Sequence, residues 1–125
     1  MKKLIAVFLL VFPIALAGAT SLSKARAAVK ANMATAEGQA YENTLSDDFW
    51  MSHSEVVTKC VDTTSASHGK MEVLVKFVKD GTVGEVLITP NGPIGECLKQ
   101  NLVKEKFPPP PQADYWMKVD MQFTK

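Results

Sequence analysis

The chain has 125 residues, 46% of them hydrophobic, with 14 Lys and Arg against 13 Asp and Glu and a net charge of +1. That length bounds it to one modest domain. The near-neutral balance lacks the basic stripe of a nucleic-acid binder and the like-charge run of a membrane-surface segment.

Lys2 and Lys3 precede the apolar run Leu4 to Leu16, and Ala17-Gly18-Ala19 carries the small-x-small pattern of a signal peptidase site. The run is short for a bilayer span. The expectation is a cleavable signal peptide over residues 1–19, cut between Ala19 and Thr20; an uncleaved membrane anchor is the rival reading. A Lys-Lys start and a short apolar core point to a bacterial protein exported to the periplasm, with no membrane anchor after cleavage. Loss of Lys2 and Lys3 leaves 12 basic against 13 acidic residues, a net charge of about −1.

Thr20 to Tyr41 is expected to be helical, capped by Ser21 or Ser23. Leu22, Ala25, Val29, Met33, Ala36 and Ala40 follow a 3-4 spacing along one face of mostly small side chains. Gly38 weakens its end. Such a face needs a partner surface: it either covers one face of a sheet or pairs with the same helix of a second copy, which makes a homodimer a secondary expectation. Asn43 to Asp48 reads as a polar turn. It closes an N-terminal helical segment, 20–48, ahead of an α+β domain, 49–125. Phe49-Trp50-Met51 is a compact apolar knot at the start of a second helix that opens at Ser52 or Ser54 and ends near Cys60 or Asp62. Val56, Val57, Cys60 and Val61 form its inner face. Thr63 to Gly69 is a small polar loop.

Met71 to Val78 and Val83 to Thr89 are rich in β-branched residues and read as strands. Asp80-Gly81 between them signals a hairpin. A two-residue loop would place Phe77 opposite Gly84, Val75 opposite Val86 and Val73 opposite Ile88. The other face would pair Val78 with Val83, Lys76 with Glu85 and Leu74 with Leu87. Both faces are then largely apolar, and each needs a cover. Asn91-Gly92-Pro93 opens a helix whose Ile94, Leu98 and Leu102 form one stripe, with Phe107 at its end. Pro108 to Pro111 cannot continue that helix. They form either a stiff crossover or a polyproline ligand. In the last strand Tyr115, Met117, Val119, Met121 and Phe123 face one way, while Trp116, Lys118, Asp120, Gln122 and Thr124 face the other. The fold class is therefore α+β.

Cys60 and Cys97 are the only two cysteines. In an oxidising compartment an even count reads as a disulfide, and closing this loop of 36 residues should stabilise by roughly 3–4 kcal/mol. There is no Cys-x-x-Cys, which speaks for a structural bond over a redox or metal role.

The helix with Cys60, the hairpin with Gly81-Thr82-Val83, Glu96-Cys97-Leu98, Phe107-Pro108 and the alternating final strand together resemble the C-terminal domain of TonB-type energy transducers. The nearest form is the two-cysteine variant found in AgmX-type proteins. The resemblance covers roughly residues 50–125. It implies a ββαβ antiparallel sheet with helices packed on it, preceded here by an N-terminal helix, and a Cys60–Cys97 disulfide. The Tyr-Pro motif before the first helix of typical TonB domains is absent; Trp50-Met51-Ser52 stands in its place. With a cleavable signal and no long proline-rich spacer, what carries over is a compact protein-binding module, of a kind that often works by sheet-edge pairing; a loop or a strand edge is the expected occluding element.

No enzyme site, cofactor site or metal site is expected. His53 with Asp47, Asp48 and Glu55 fits no ligand spacing with a mechanism and reads as a solvated helix start. Ser65 or Ser67 with His68 is too close in sequence to form a catalytic pair by itself. The expected partner-binding residues are Trp116, on the polar side of the last strand, Ser67 and His68 in the polar loop, and Lys79 and Asp80 at the hairpin tip. Trp116 packed against Leu74, Leu87 or the first helix is the competing structural reading. The expected function is a non-catalytic periplasmic inhibitor, similar in layout to immunity proteins that occlude envelope-acting peptidoglycan hydrolase toxins. A TonB-like adaptor of an envelope transport or motility complex is the alternative.

Overall fold

A computed structural model describes residues 20–62 and 69–122, and of residues 46–53 and 62 the backbone alone. The elements are α1 (Leu22–Met33), α2 (Ala36–Asp62), β1 (Lys70–Phe77), β2 (Val83–Thr89), α3 (Pro93–Leu102) and β3 (Tyr115–Gln122). The three strands form one antiparallel sheet in the order β2-β1-β3. This is a mixed α+β fold, and Cys60 and Cys97 are joined in a disulfide.

The sheet is sandwiched. On one face Val73, Val75 and Phe77 of β1, Val83 and Val86 of β2, and Tyr115 and Met117 of β3 pack against Ile94, Leu98 and Leu102 of α3 and Tyr41 and Leu45 of α2. Tyr41 sets its ring edge against Phe77 at 6.0 Å and Tyr115 at 5.2 Å, and Phe107 lies 4.6 Å from Phe77. On the other face Leu74 and Trp116 pack against Ala25 and Val29 of α1. Of the two uses that the sequence leaves open for the first helix, the chain adopts sheet cover. The second face of the sheet is thereby covered from within the chain.

Four expectations need correction. First, 20–41 is not one helix. α1 ends at Met33, and the Thr35 hydroxyl receives Gly38 N–H (3.0 Å) and donates to the Asn32 carbonyl (2.9 Å), so the chain turns and restarts as α2. A Cβ on Gly38 would run into the Asn32 carbonyl, so this glycine permits the close approach. Second, α1 is rotated from its expected stripe: Ala25, Val29 and Asn32 are buried, whereas Leu22 and Met33 are exposed. Third, Asn43–Asp48 is helical, and α2 runs unbroken across positions 48 and 49. Fourth, α3 stops at Leu102, five residues before Phe107.

The hairpin also differs in detail. Gly81 N–H donates to the Val78 carbonyl and Val78 N–H to the Thr82 carbonyl, both at 2.9 Å, so the loop has three residues, Lys79-Asp80-Gly81. Gly81 takes φ 91°. The expected pairs Val73–Ile88, Leu74–Leu87, Val75–Val86 and Lys76–Glu85 are present, but Phe77 pairs with Val83, and Gly84 is extra in a bulge. Val78–Val83 and Phe77–Gly84 are therefore not partners. Thr89–Pro90 is cis.

The disulfide ties the C-terminal end of α2 to α3. Asn101 Nδ2 donates to the Cys97 carbonyl at 2.8 Å beside it. The crossover after α3 is pinned at two adjacent residues: Phe107 N–H donates to the Gly81 carbonyl (3.0 Å), and Tyr41 Oη–H donates to the Pro108 carbonyl (2.8 Å). Among the described residues no helix is long and apolar enough to cross a membrane.

Candidate partner-binding site

Of the expected site residues, Trp116, Lys79 and Asp80 are described. Trp116 is 5% exposed, packed with Ala25, Val29 and Leu74. Its indole is core, not a free hot spot, as the competing reading has it. Lys79 and Asp80 sit at the exposed hairpin tip. Thr82 N–H donates to Asp80 Oδ1 at 2.9 Å, and the bonds from Thr82 hold the carboxyl below the usual carboxylate range. Ser67 and His68 lie outside the described residues, as do residues 1–19, Phe123 and the side chains of Asp47, Asp48, Trp50 and His53.

The main polar cluster joins α2 to the start of β3. Tyr115 Oη–H donates to Glu42 Oε2 at 2.8 Å and stands 3.3 Å from the Gly38 carbonyl. Burial pushes the Glu42 carboxyl up, and the bond from Tyr115 partly offsets this. Tyr41 is pushed up to about 12, first by burial and then by the Glu42 charge. Tyr115 is raised further, by burial, by its bond to Glu42 and by the nearby Glu42 and Tyr41. Both phenols therefore stay protonated and donate within the fold. These bonds fix α2 on the sheet. Among the described residues no three His, Cys, Asp or Glu come together to hold a metal ion.

A candidate binding surface is the outer edge of β3, one of the two edge strands of the sheet. Backbone groups alternate in direction along a strand. Val78 N–H points at β2, so Glu72, Leu74 and Lys76 do as well. Met71, Val73, Val75 and Phe77 then point at β3 and bond Met121, Val119, Met117 and Tyr115. It follows that Trp116, Lys118, Asp120 and Gln122 turn their N–H and C=O groups outward. A second observation agrees: Asn32 Nδ2 of α1 reaches round the edge and donates to the Trp116 carbonyl at 3.0 Å. Gln112 Nε2 in turn donates to Asn32 Oδ1 at 2.8 Å. The capping amide covers Trp116. Beyond it β3 pairs with β1 alone among the described residues, and Lys118 to Gln122 runs roughly 14 Å as an open edge.

A groove of about 460 Å³ lies beside that edge, between Ser54, Val57 and Thr58 of α2 and Val119 and Met121 of β3. Strand alternation turns the Lys118 and Asp120 side chains to the other face, where they lie 3.4 Å apart, while Asp120 and Gln122 also border the groove. The edge thus offers main-chain donors and acceptors in register, with an apolar trough for alternate side chains. The alternation after Trp116 places these residues on β3, but their edge position depends on the strand order. No family model, curated protein or solved structure matches the chain.

Proposed function

We propose that this chain is a non-catalytic protein-binding domain of the bacterial periplasm that takes an extended segment of its partner along β3. The observation that carries the reading is the outward row Lys118–Asp120–Gln122 beside the Val57–Val119–Met121 groove. Strand addition supplies affinity through the main chain and specificity through alternate side-chain pockets. About five residues fit along this length.

In the cell the role is inhibition, of the kind immunity proteins exert on peptidoglycan hydrolase toxins. A hydrolase that cleaves peptide cross-links accommodates extended peptide, and a strand edge is matched to that cleft. A second reading, a TonB-like adaptor of an envelope transport or motility complex, is favoured by the strand–strand–helix–strand order and by the free edge falling on the last strand.

The test is affinity capture with oxidised residues 20–125 beside the variant Asp120→Pro, which removes one outward N–H at an edge position where proline is tolerated. Capture by the wild type of a cell-wall hydrolase that is inactive while bound, lost with Asp120→Pro, supports inhibition. A transport or motility component captured on the same terms supports the adaptor. Equal capture by both proteins refutes the β3 edge as the site.

A further inference from the structure

Three polar anchors hold α1 on the second face of the sheet. Asn32 bonds the Trp116 carbonyl, Arg26 Nη2 lies 2.8 Å from Glu72 Oε1, and Thr20 reaches Glu85. The third differs in kind. Thr20 N donates to Glu85 Oε1 at 2.7 Å and Thr20 Oγ1 donates to Glu85 Oε2 at 2.9 Å, so one carboxylate is engaged through both oxygens by one residue. That residue directly follows Ala17-Gly18-Ala19. Both partners are half-buried. The first turn of α1 contains no acidic side chain, so Glu85, supplied from β2, is the anion beside the positive end of this helix.

We propose that Glu85 is the receptor for the α-ammonium group created at Thr20 when the signal peptide is removed. The inference rests on cleavage between Ala19 and Thr20 and is independent of the protein-binding reading. In that hydrolysis water breaks the Ala19–Thr20 amide C–N bond. Its oxygen remains on Ala19 as carboxylate, and the Thr20 nitrogen gains protons to become –NH₃⁺. The nitrogen already lies within hydrogen-bond distance of Glu85 Oε1, so processing converts a neutral donor into a cation opposite a carboxylate. Without Glu85 the new charge would oppose the dipole of α1. With Glu85 it fastens the helix over Leu74 and Trp116. Export and closure of the second sheet face become linked steps.

The experiment compares residues 20–125 with a free or an acetylated Thr20 amine, each carrying Glu85 or Glu85→Gln, by urea unfolding at pH 7 and low salt. Acetylation restores a neutral amide and leaves the Thr20 hydroxyl in place. The free amine should raise the folding equilibrium constant roughly two- to fivefold over the acetylated form, the scale of a partly exposed ion pair. The gain should vanish in Glu85→Gln and shrink in 1 M salt. A chain extended by one alanine before Thr20 should lose it too, which keeps the test valid if Glu85→Gln fails to fold. Equal stability of the free and acetylated chains, or a gain that survives in Glu85→Gln, overturns the proposal. So does an intact mass showing that the exported protein begins elsewhere than Thr20. None of these readouts depends on partner capture.

Discussion

The Cys60–Cys97 bond should carry a large share of the stability. It closes a loop with a sequence separation of 37, which contains the whole β1–β2 hairpin and the start of α3. Chain entropy for a loop of that length gives about 13 cal/mol/K, or about 3.8 kcal/mol at 25 °C, removed from the unfolded state. A domain of this size has a total stability of about 5–15 kcal/mol. The perturbation is Cys60→Ala with Cys97→Ala, which leaves no free thiol. The assay is urea unfolding of residues 20–125, followed by circular dichroism and tryptophan fluorescence. With an m-value near 2 kcal/mol/M, the midpoint should fall by about 2 M. The m-value itself should rise a little, because the uncrosslinked chain exposes more surface when unfolded. A loss below about 1 kcal/mol would refute the reasoning. It would mean that α2 and α3 hold together through Val57, Val61 and Leu98 without help.

Three further outcomes are expected. Trp116→Ala should destabilise by roughly 3–5 kcal/mol, measured by thermal unfolding; a change within 0.5 kcal/mol would place the indole outside the core. Gly81→Ala should cost roughly 1–3 kcal/mol, since φ is 91° and a Cβ would meet the Phe107 carbonyl. Gly92→Ala, at an extended φ of 176° with open space around it, is the control and should be near neutral in the same urea titration. The phenol of Tyr41 is held protonated to about pH 12 in the fold, against about 10 when exposed. A raised folded value means stability present below pH 10 and lost as pH rises toward 12. Tyr41→Phe should flatten that alkaline limb, read by circular dichroism between pH 9 and 12, and an unchanged limb would assign it to other groups.

Much of the sheet was legible because its signals are local. The β-branched runs, the Ile94–Leu98–Leu102 stripe and the alternation from Tyr115 onward each reflect a period that burial imposes on a regular element. The continuity of α2 was not legible. Asn43-Thr44-Leu45-Ser46-Asp47-Asp48 is made mostly of poor helix formers and turn residues. It is helical in the fold, where Tyr41 and Leu45, four apart, are buried against the sheet and Cys60 is bonded to α3 farther along. Packing at both ends overrides propensity in the middle. The rotation of α1 was hidden for a different reason. Asn32 looks like a surface residue, yet it is 6% exposed because its amide satisfies the Trp116 carbonyl and the Gln112 side chain. A buried amide with both its nitrogen and its oxygen bonded cannot be told from a solvated one by periodicity. The candidate edge was legible only as strand: that β3 lies outermost follows from a strand order that no local signal encodes.

The same links explain why the second half of the β3 edge stays open while both faces are covered. α2 begins on the sheet, where Tyr41 meets Phe77 and Tyr115 and the Tyr115–Glu42 bond locks it. Its far end is drawn to α3 by the disulfide. Between those two places α2 runs beside the second half of β3 without closing on it. Ser54, Val57 and Thr58 therefore stand across a groove from Val119 and Met121. On the opposite face α1 is anchored at Glu85, Glu72 and the Trp116 carbonyl, and its edge cap ends there. Lys118 to Gln122 thus lies beyond these tethers. If the groove is the binding trough, the disulfide acts on function as well as stability. The Cys60→Ala, Cys97→Ala protein, held folded below its transition, should then bind its partner more weakly than the oxidised chain, because α2 is free to relax toward β3. Equal affinity measured by calorimetry would separate the staple from the site.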